Sequence, residues 1–121
     1  MNKYLLDTNS VIYALKQGYV FPDGEYFISI ITEIELLSFP SLTDKDVENI
    51  RCALTNFKII ELTSIVKTET IKIRKKTKLK LPDSIIVATA IINEAILVTS
   101  DKKILNLTQV ASKELFDLDV N

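Results

Sequence analysis

Asp7 closes a short apolar run, Tyr4-Leu5-Leu6, and Thr8-Asn9-Ser10 follow it directly. A strand that ends in a carboxylate and turns at once into a helix sets an acid at the open edge of a sheet, where a ligand can reach it. Asp101 has the same setting after Ile96-Leu97-Val98-Thr99, and Asp83 opens a strongly apolar helix. A further helix carries two acids, Glu33 and Glu35. Carboxylates gathered in one place repel one another and lose solvation on burial. A hard divalent cation with oxygen ligands offsets that cost. Such an ion acidifies a bound water and stabilises charge developing on a phosphate. If these acids converge, the chemistry they point to is metal-assisted cleavage of a phosphodiester. If they do not, little else in the chain suggests chemistry.

Composition removes the main competitors. The chain has no histidine, which excludes Ser-His-Asp triads, Cys-His pairs, imidazole zinc sites and paired-histidine ribonuclease chemistry. Cys52 is the only cysteine, so no internal disulfide forms and a reducing cytoplasmic setting is expected. The 121 residues suit one domain with its own core. The longest uncharged apolar stretch, residues 84–93, is shorter than the ~20 residues of a membrane span. Residues 1–7 lack the apolar segment of a secretory signal.

The elements that must position the acids alternate in type. Residues 4–6 read as a strand and residues 9–17 as a helix, with Val11, Ile12 and Leu15 on one stripe and Gly18 as its cap. Residues 26–29 read as a strand, residues 30–39 as a helix ended by Pro40, and residues 43–56 as a helix opened by Thr43 with Asp46 three positions on. A strand over 58–62 and a helix from Thr63 or Ser64 to about Lys78 follow. Pro82 suits the first turn of a helix over 82–93, which is apolar nearly all round and therefore buried. Residues 96–99 read as a strand, 101–107 as a turn and short helix, and 114–118 as a last strand. The alternation predicts a single α/β domain over residues 1–121, with a largely parallel sheet of about four to five strands and helices on both faces.

Glu33 and Glu35 stand about 200° apart around their helix, so only one can face a shared site. Both flank the apolar stripe, and helical phase does not choose between them. Net charge is −1, yet residues 67–80 hold seven basic side chains against the single acid Glu69. That segment is either a solvated helix face or a surface for phosphates. Lys75, Lys76, Lys78, Lys80 and the separate Lys102 are the candidate contacts.

Four segments carry a resemblance when taken together. They are Asp7-Thr8-Asn9 after a strand, Ser29-x-x-Thr32-x-x-Glu35-Leu36, Leu81-x-Asp83 opening an Ile/Ala-rich helix, and Val98-Thr99-Ser100-Asp101 after a strand. In order and approximate spacing the chain resembles the PIN domain family. More narrowly, it resembles the small VapC-like toxin ribonucleases of bacterial type II toxin–antitoxin pairs, over residues 7 to about 107. The resemblance implies that Asp7, Glu35, Asp83 and Asp101 hold Mg²⁺ or Mn²⁺ as the catalytic set, with Glu33 a neighbour. It also implies that Thr8, Asn9 and Thr99 support them from behind.

By the same resemblance the substrate is RNA, and the expected partners are a cognate antitoxin and a second copy of the chain in a homodimer. Two features depart from the family. The segment over residues 18–26 is short where relatives often have an extra helix, and Lys102, Lys103 and Ile104 follow Asp101 where another Asp or Asn is common. The competing expectation is a PIN-like binding or scaffold module with weak or no nuclease activity.

Overall fold

The computed structural model describes residues 1–119. Its elements are β1 (Lys3–Leu6), α1 (Thr8–Gln17), β2 (Glu25–Ser29), α2 (Ile30–Leu37), α3 (Asp44–Leu54), β3 (Lys58–Ile60), α4 (Ser64–Lys76), α5 (Leu81–Ile92), β4 (Ile96–Val98), α6 (Lys102–Leu105) and β5 (Ser112–Lys113). All neighbouring strands pair in parallel, in the order β3-β2-β1-β4-β5. The expected parallel α/β sheet is therefore present. Among the described residues no helix is long and apolar enough to cross a membrane.

The two-residue period of a strand divides the core. Tyr4, Leu6, Ile28 and Val98 face one side, where they meet Val11 and Ala14 of α1, Leu36 of α2 and Leu54 of α3. Leu5 and Leu97 point to the other side and pack on Ile73 of α4, Ile86, Val87 and Ala90 of α5, and Ile104 of α6. Residues Ser84 to Ala90 of α5 are all buried, as its composition predicts. Fully burying one such Ile or Val stabilises the fold by about 1.5–3 kcal/mol.

The helix ends follow local chemistry. Gly18 ends α1 with φ 59°, the left-handed conformation that glycine adopts without a Cβ clash. Thr43 and Asp46 form a reciprocal capping box at α3. Pro82 lies in the first turn of α5, where its missing N–H costs nothing.

One expected element is different. Residues 114–118 do not form a strand. The fifth strand is the earlier pair Ser112–Lys113, and Leu115–Asp119 is a 3-10 turn. Leu115 and Leu118 are both buried, three residues apart, which matches the 3-residue turn of that helix rather than strand alternation. The remaining differences are shifts of element ends: α2, α3, β3, α4 and α6 each stop about two residues early, at Leu37, Leu54, Ile60, Lys76 and Leu105.

Candidate active site

Strand order brings the site together. β1 lies between β2 and β4, so Asp7 and Thr99 emerge side by side at the carboxyl edge of the sheet. Asp7 is 8% exposed and caps α1: its Oδ1 accepts from the Ser10 N–H at 2.8 Å. Its Oδ2 accepts from the Thr99 hydroxyl at 2.6 Å. The Ser10 hydroxyl donates to the Val98 carbonyl at 3.1 Å, which ties the start of α1 to β4. Thr99 Oγ1 also accepts from the Asp101 N–H at 3.0 Å. One buried hydroxyl thus fixes the carboxylate of Asp7 and the backbone of Asp101. Asp101 caps α6, with its Oδ1 accepting from the Lys103 N–H at 2.9 Å.

Glu35 is held by a second threonine. The Thr8 hydroxyl donates to Glu35 Oε1 at 2.5 Å, and Thr32 Oγ1 lies 3.1 Å from Thr8 Oγ1. Each threonine has one hydroxyl proton, so with Thr8 donating to the carboxylate, Thr32 donates to Thr8. Ser29 starts α2 by accepting from the Ile31 N–H, so β2 runs straight into the helix that carries Glu35. Glu33 lines a different depression with Arg51 and Phe57. The structure thereby separates two acids that helical phase leaves equivalent.

Asp7, Glu35 and Asp83 line one open cleft of about 430 Å³, with Ile12, Ile86 and Phe39 as its apolar walls. Asp101 stands outside this lining, yet it acts on the cleft. Burial pushes the Asp83 carboxyl above its ordinary value, and the charges of Asp101, Asp7 and Glu35 push it further, in that order of size. Lys80 opposes them. All four expected acids therefore share one electrostatic neighbourhood.

Among the described residues, no three acidic side chains converge tightly enough to grip one ion as they stand. The donor set, carboxylate oxygens with no nitrogen or sulfur, suits a hard cation such as Mg²⁺ or Mn²⁺. Side-chain rotation must complete such a grip.

The supporting residues fall into place unevenly. Thr8 and Thr99 bond the site acids directly, whereas Asn9 is exposed and lines the cleft. The bonds to Asp7 come instead from Ser10 and Thr99. Ser10 and Thr32 are positioning residues to which the sequence alone gives no role, although Thr32 stands in the Ser29-x-x-Thr32-x-x-Glu35 motif. Their offsets, three residues after Asp7 and three before Glu35, are the trace they leave.

Lys75, Lys76, Lys78, Lys80 and Lys102 are all exposed. Ser64 and Ile65 at the start of α4 lie by Ile92 at the end of α5, so the two helices run antiparallel. Lys75 and Lys76 thus come to the end of α5 that carries Asp83. The connection between these helices is braced by Arg74 Nη1 donating to the Leu79 carbonyl at 3.1 Å and Leu79 N–H donating to Thr77 Oγ1 at 3.3 Å. Lys78 and Lys80 therefore project from a fixed loop.

The sequence pattern of the PIN domain matches residues 4–110, and the chain belongs to the PIN domain family. A comparison with curated protein sequences finds no match. Among solved structures, a toxin–antitoxin complex from Klebsiella pneumoniae contains a chain 29% identical, with TM-score 0.76, covering 93% of this chain and 99% of that one. DNA-bound VapBC from Salmonella typhimurium gives 20% identity and TM-score 0.80 over 94% and 98% of the two chains. VapBC2 from Rickettsia felis, bound to a DNA fragment from its promoter, gives 22% and 0.77 over 93% and 98%. The last two likenesses show the fold alone.

Proposed function

We propose that this protein is a divalent-metal-dependent endoribonuclease and the toxin of a type II toxin–antitoxin pair. The observation that carries the proposal is the shared cleft of Asp7, Glu35 and Asp83, with Asp101 at its rim and two of the four acids restrained by threonine hydroxyls. Asp7, Glu35, Asp83 and Asp101 would hold Mg²⁺ or Mn²⁺. When bound, that ion supplies an acidified water and neutralises charge on the phosphate.

The chain's own residues do the rest. Thr99 and Ser10 fix both oxygens of Asp7, and Thr8, backed by Thr32, aims Glu35. Such partners of a ligating carboxylate typically change metal affinity about 10–100-fold when removed. Ile12 and Ile86 form an apolar wall of the cleft. Lys80, beside Asp83, and the exposed Lys75, Lys76, Lys78 and Lys102 meet the RNA backbone.

The antitoxin partner is supported by the Klebsiella pneumoniae likeness, which covers nearly the whole of both chains and comes from a toxin–antitoxin complex. Ile34 and Phe39, both about half exposed, flank Glu35 and give a partner segment an apolar hold next to the acids. Of the other apolar candidates for this contact, Leu36 is buried and Phe21 packs against the core, whereas Val20 is exposed. A homodimer is the expected assembly of the toxin.

Asp7→Asn tests the enzyme. Asn is a good N-cap, so its side chain keeps the Ser10 bond while the carboxylate charge is lost. The expected result is a folded protein whose Mn²⁺-dependent RNA cleavage falls at least 100-fold, with Glu33→Gln as an active control. Unchanged cleavage by folded Asp7→Asn protein would sink the assignment. The loose spacing of the acids favours one alternative, a PIN-like scaffold without catalysis. Calorimetric titration decides between them, because a scaffold takes up no Mn²⁺ at millimolar concentration.

A further inference from the structure

A second cavity, of about 330 Å³, adjoins the acid cleft and is lined by Asn9, Ser10, Tyr13, Ser100, Glu114 and Phe116, among others. Its inner wall comes from the two turns that carry site acids. Asn9 and Ser10 follow Asp7, and Ser100 lies between Thr99 and Asp101. Asn9 lines both cavities, so they share one wall.

The outer wall is aromatic. Tyr13 is 41% and Phe116 65% exposed, and their rings meet edge to face with centroids 5.5 Å apart. This pair is held in place from beneath. Leu115 and Leu118 are buried on either side of Phe116, and the Tyr19 hydroxyl donates to the Leu115 carbonyl at 3.1 Å. The preceding strand is tied to the site, because the Thr99 N–H donates to the Lys113 carbonyl at 2.9 Å. The platform and the residue that orients Asp7 are therefore joined through adjacent strands of the sheet.

Unpaired bases of single-stranded RNA are taken up by stacking on exposed aromatic side chains and by hydrogen bonds to their edges. Both requirements meet here. Phe116 and Tyr13 offer ring surface, while the Asn9 amide, the Ser100 hydroxyl and the Glu114 carboxylate offer donors and acceptors at the rim. An apolar protein surface would leave those polar groups unmatched.

We propose that this second cavity receives the base of a nucleotide adjoining the cleaved phosphodiester, stacked on the Phe116 ring with Tyr13, nearly perpendicular to it, as a side wall. The proposal rests on the ribonuclease reading above and adds to it a base-binding site at the edge of the cleft. Asn9 and Ser10, which follow Asp7, and Ser100, which precedes Asp101, place this cavity next to the acids.

The test is steady-state cleavage of a short single-stranded RNA with Mn²⁺, by wild type and by Phe116→Ala, Phe116→Leu and Phe116→Tyr. Phe116 is mostly exposed, so these changes leave the fold intact. Molar mass in solution is followed by light scattering. The expected result is a roughly 10-fold rise in KM for the Ala and Leu variants, near-wild-type behaviour for Tyr, and unchanged mass. An abasic nucleotide beside the cut should weaken the wild type by a similar factor and add nothing to Phe116→Ala.

Wild-type KM in Phe116→Leu overturns the base site, as does an abasic effect that multiplies with Phe116→Ala. A loss that tracks a fall in molar mass also overturns it and assigns the surface to a second copy of this chain. A wild type that cleaves no RNA removes the ribonuclease reading together with this one. An active wild type indifferent to Phe116 removes the base site alone.

Discussion

Thr99 donates its hydroxyl to Asp7 at 2.6 Å across 92 positions of sequence, and the same oxygen receives the backbone N–H of Asp101. Two acids that follow adjacent parallel strands are thereby fixed by one side chain that is fully buried. The sheet supplies the proximity and the hydroxyl supplies the orientation.

Thr99→Val keeps the branched shape and removes that oxygen. It leaves a buried carboxylate oxygen and a part-buried N–H without this partner, the buried oxygen costing about 1–3 kcal/mol where water cannot replace the bond. The expected outcome is a loss of a few kcal/mol in urea unfolding and about a 10-fold loss in Mn²⁺ affinity. Wild-type affinity in the variant would show that Asp7 needs no such restraint.

Asp83 gives a pH dependence with a defined sign. Its pKa is raised above 3.8 by burial and then by Asp101, Asp7 and Glu35. The stability it contributes is present below pH 3.8 and is lost as pH rises through the folded-state value. In metal-free buffer at pH 7, Asp83→Asn should therefore melt at a higher temperature than wild type, with the gap closing near pH 3. With Mn²⁺ added the order should reverse, since the charged carboxylate then has a cation to meet. Differential scanning calorimetry with EDTA and with Mn²⁺ at both pH values checks this. A less stable Asp83→Asn protein at pH 7 in EDTA would refute the electrostatic account.

Lys75, Lys76, Lys78 and Lys80 surround the Asp83 end of α5, whereas Lys67 lies about two turns back along α4. Each phosphate contact to a single strand contributes about 0.7 to the slope of log K against log salt. Removing Lys78 and Lys80 should lower the magnitude of that slope by roughly 1.4, and Lys67→Ala should leave it unchanged. Fluorescence anisotropy of labelled RNA across a salt series measures the slope. Equal effects from all three lysines would mean a diffuse surface rather than a track.

Much of this architecture is legible locally. The Thr43–Asp46 capping box, the Gly18 cap and the buried α5 follow from residue types within a few positions of one another. The end of the chain is less legible. Residues 114–118 have the apolar content of a strand, and only burial of both Leu115 and Leu118 selects the 3-10 turn. The Ser10 tie to Val98 is likewise silent, because serine has many uses and its partner lies far away in sequence, and Thr8 and Thr32 are legible as motif members but not as bonded partners.

By itself the sequence determined the alternation of strands and helices, the acids at their junctions, and the absence of any histidine to carry competing chemistry. Those properties depend on residue type, short-range period and capping. Tertiary structure decided that β1 sits between β2 and β4, so that Asp7 meets Thr99, and that Asp83 feels three other charges. It also decided that Phe116 stands beside Tyr13 at the edge of that cleft. Each of these depends on strand order and packing between segments distant in the chain, which local patterns do not encode.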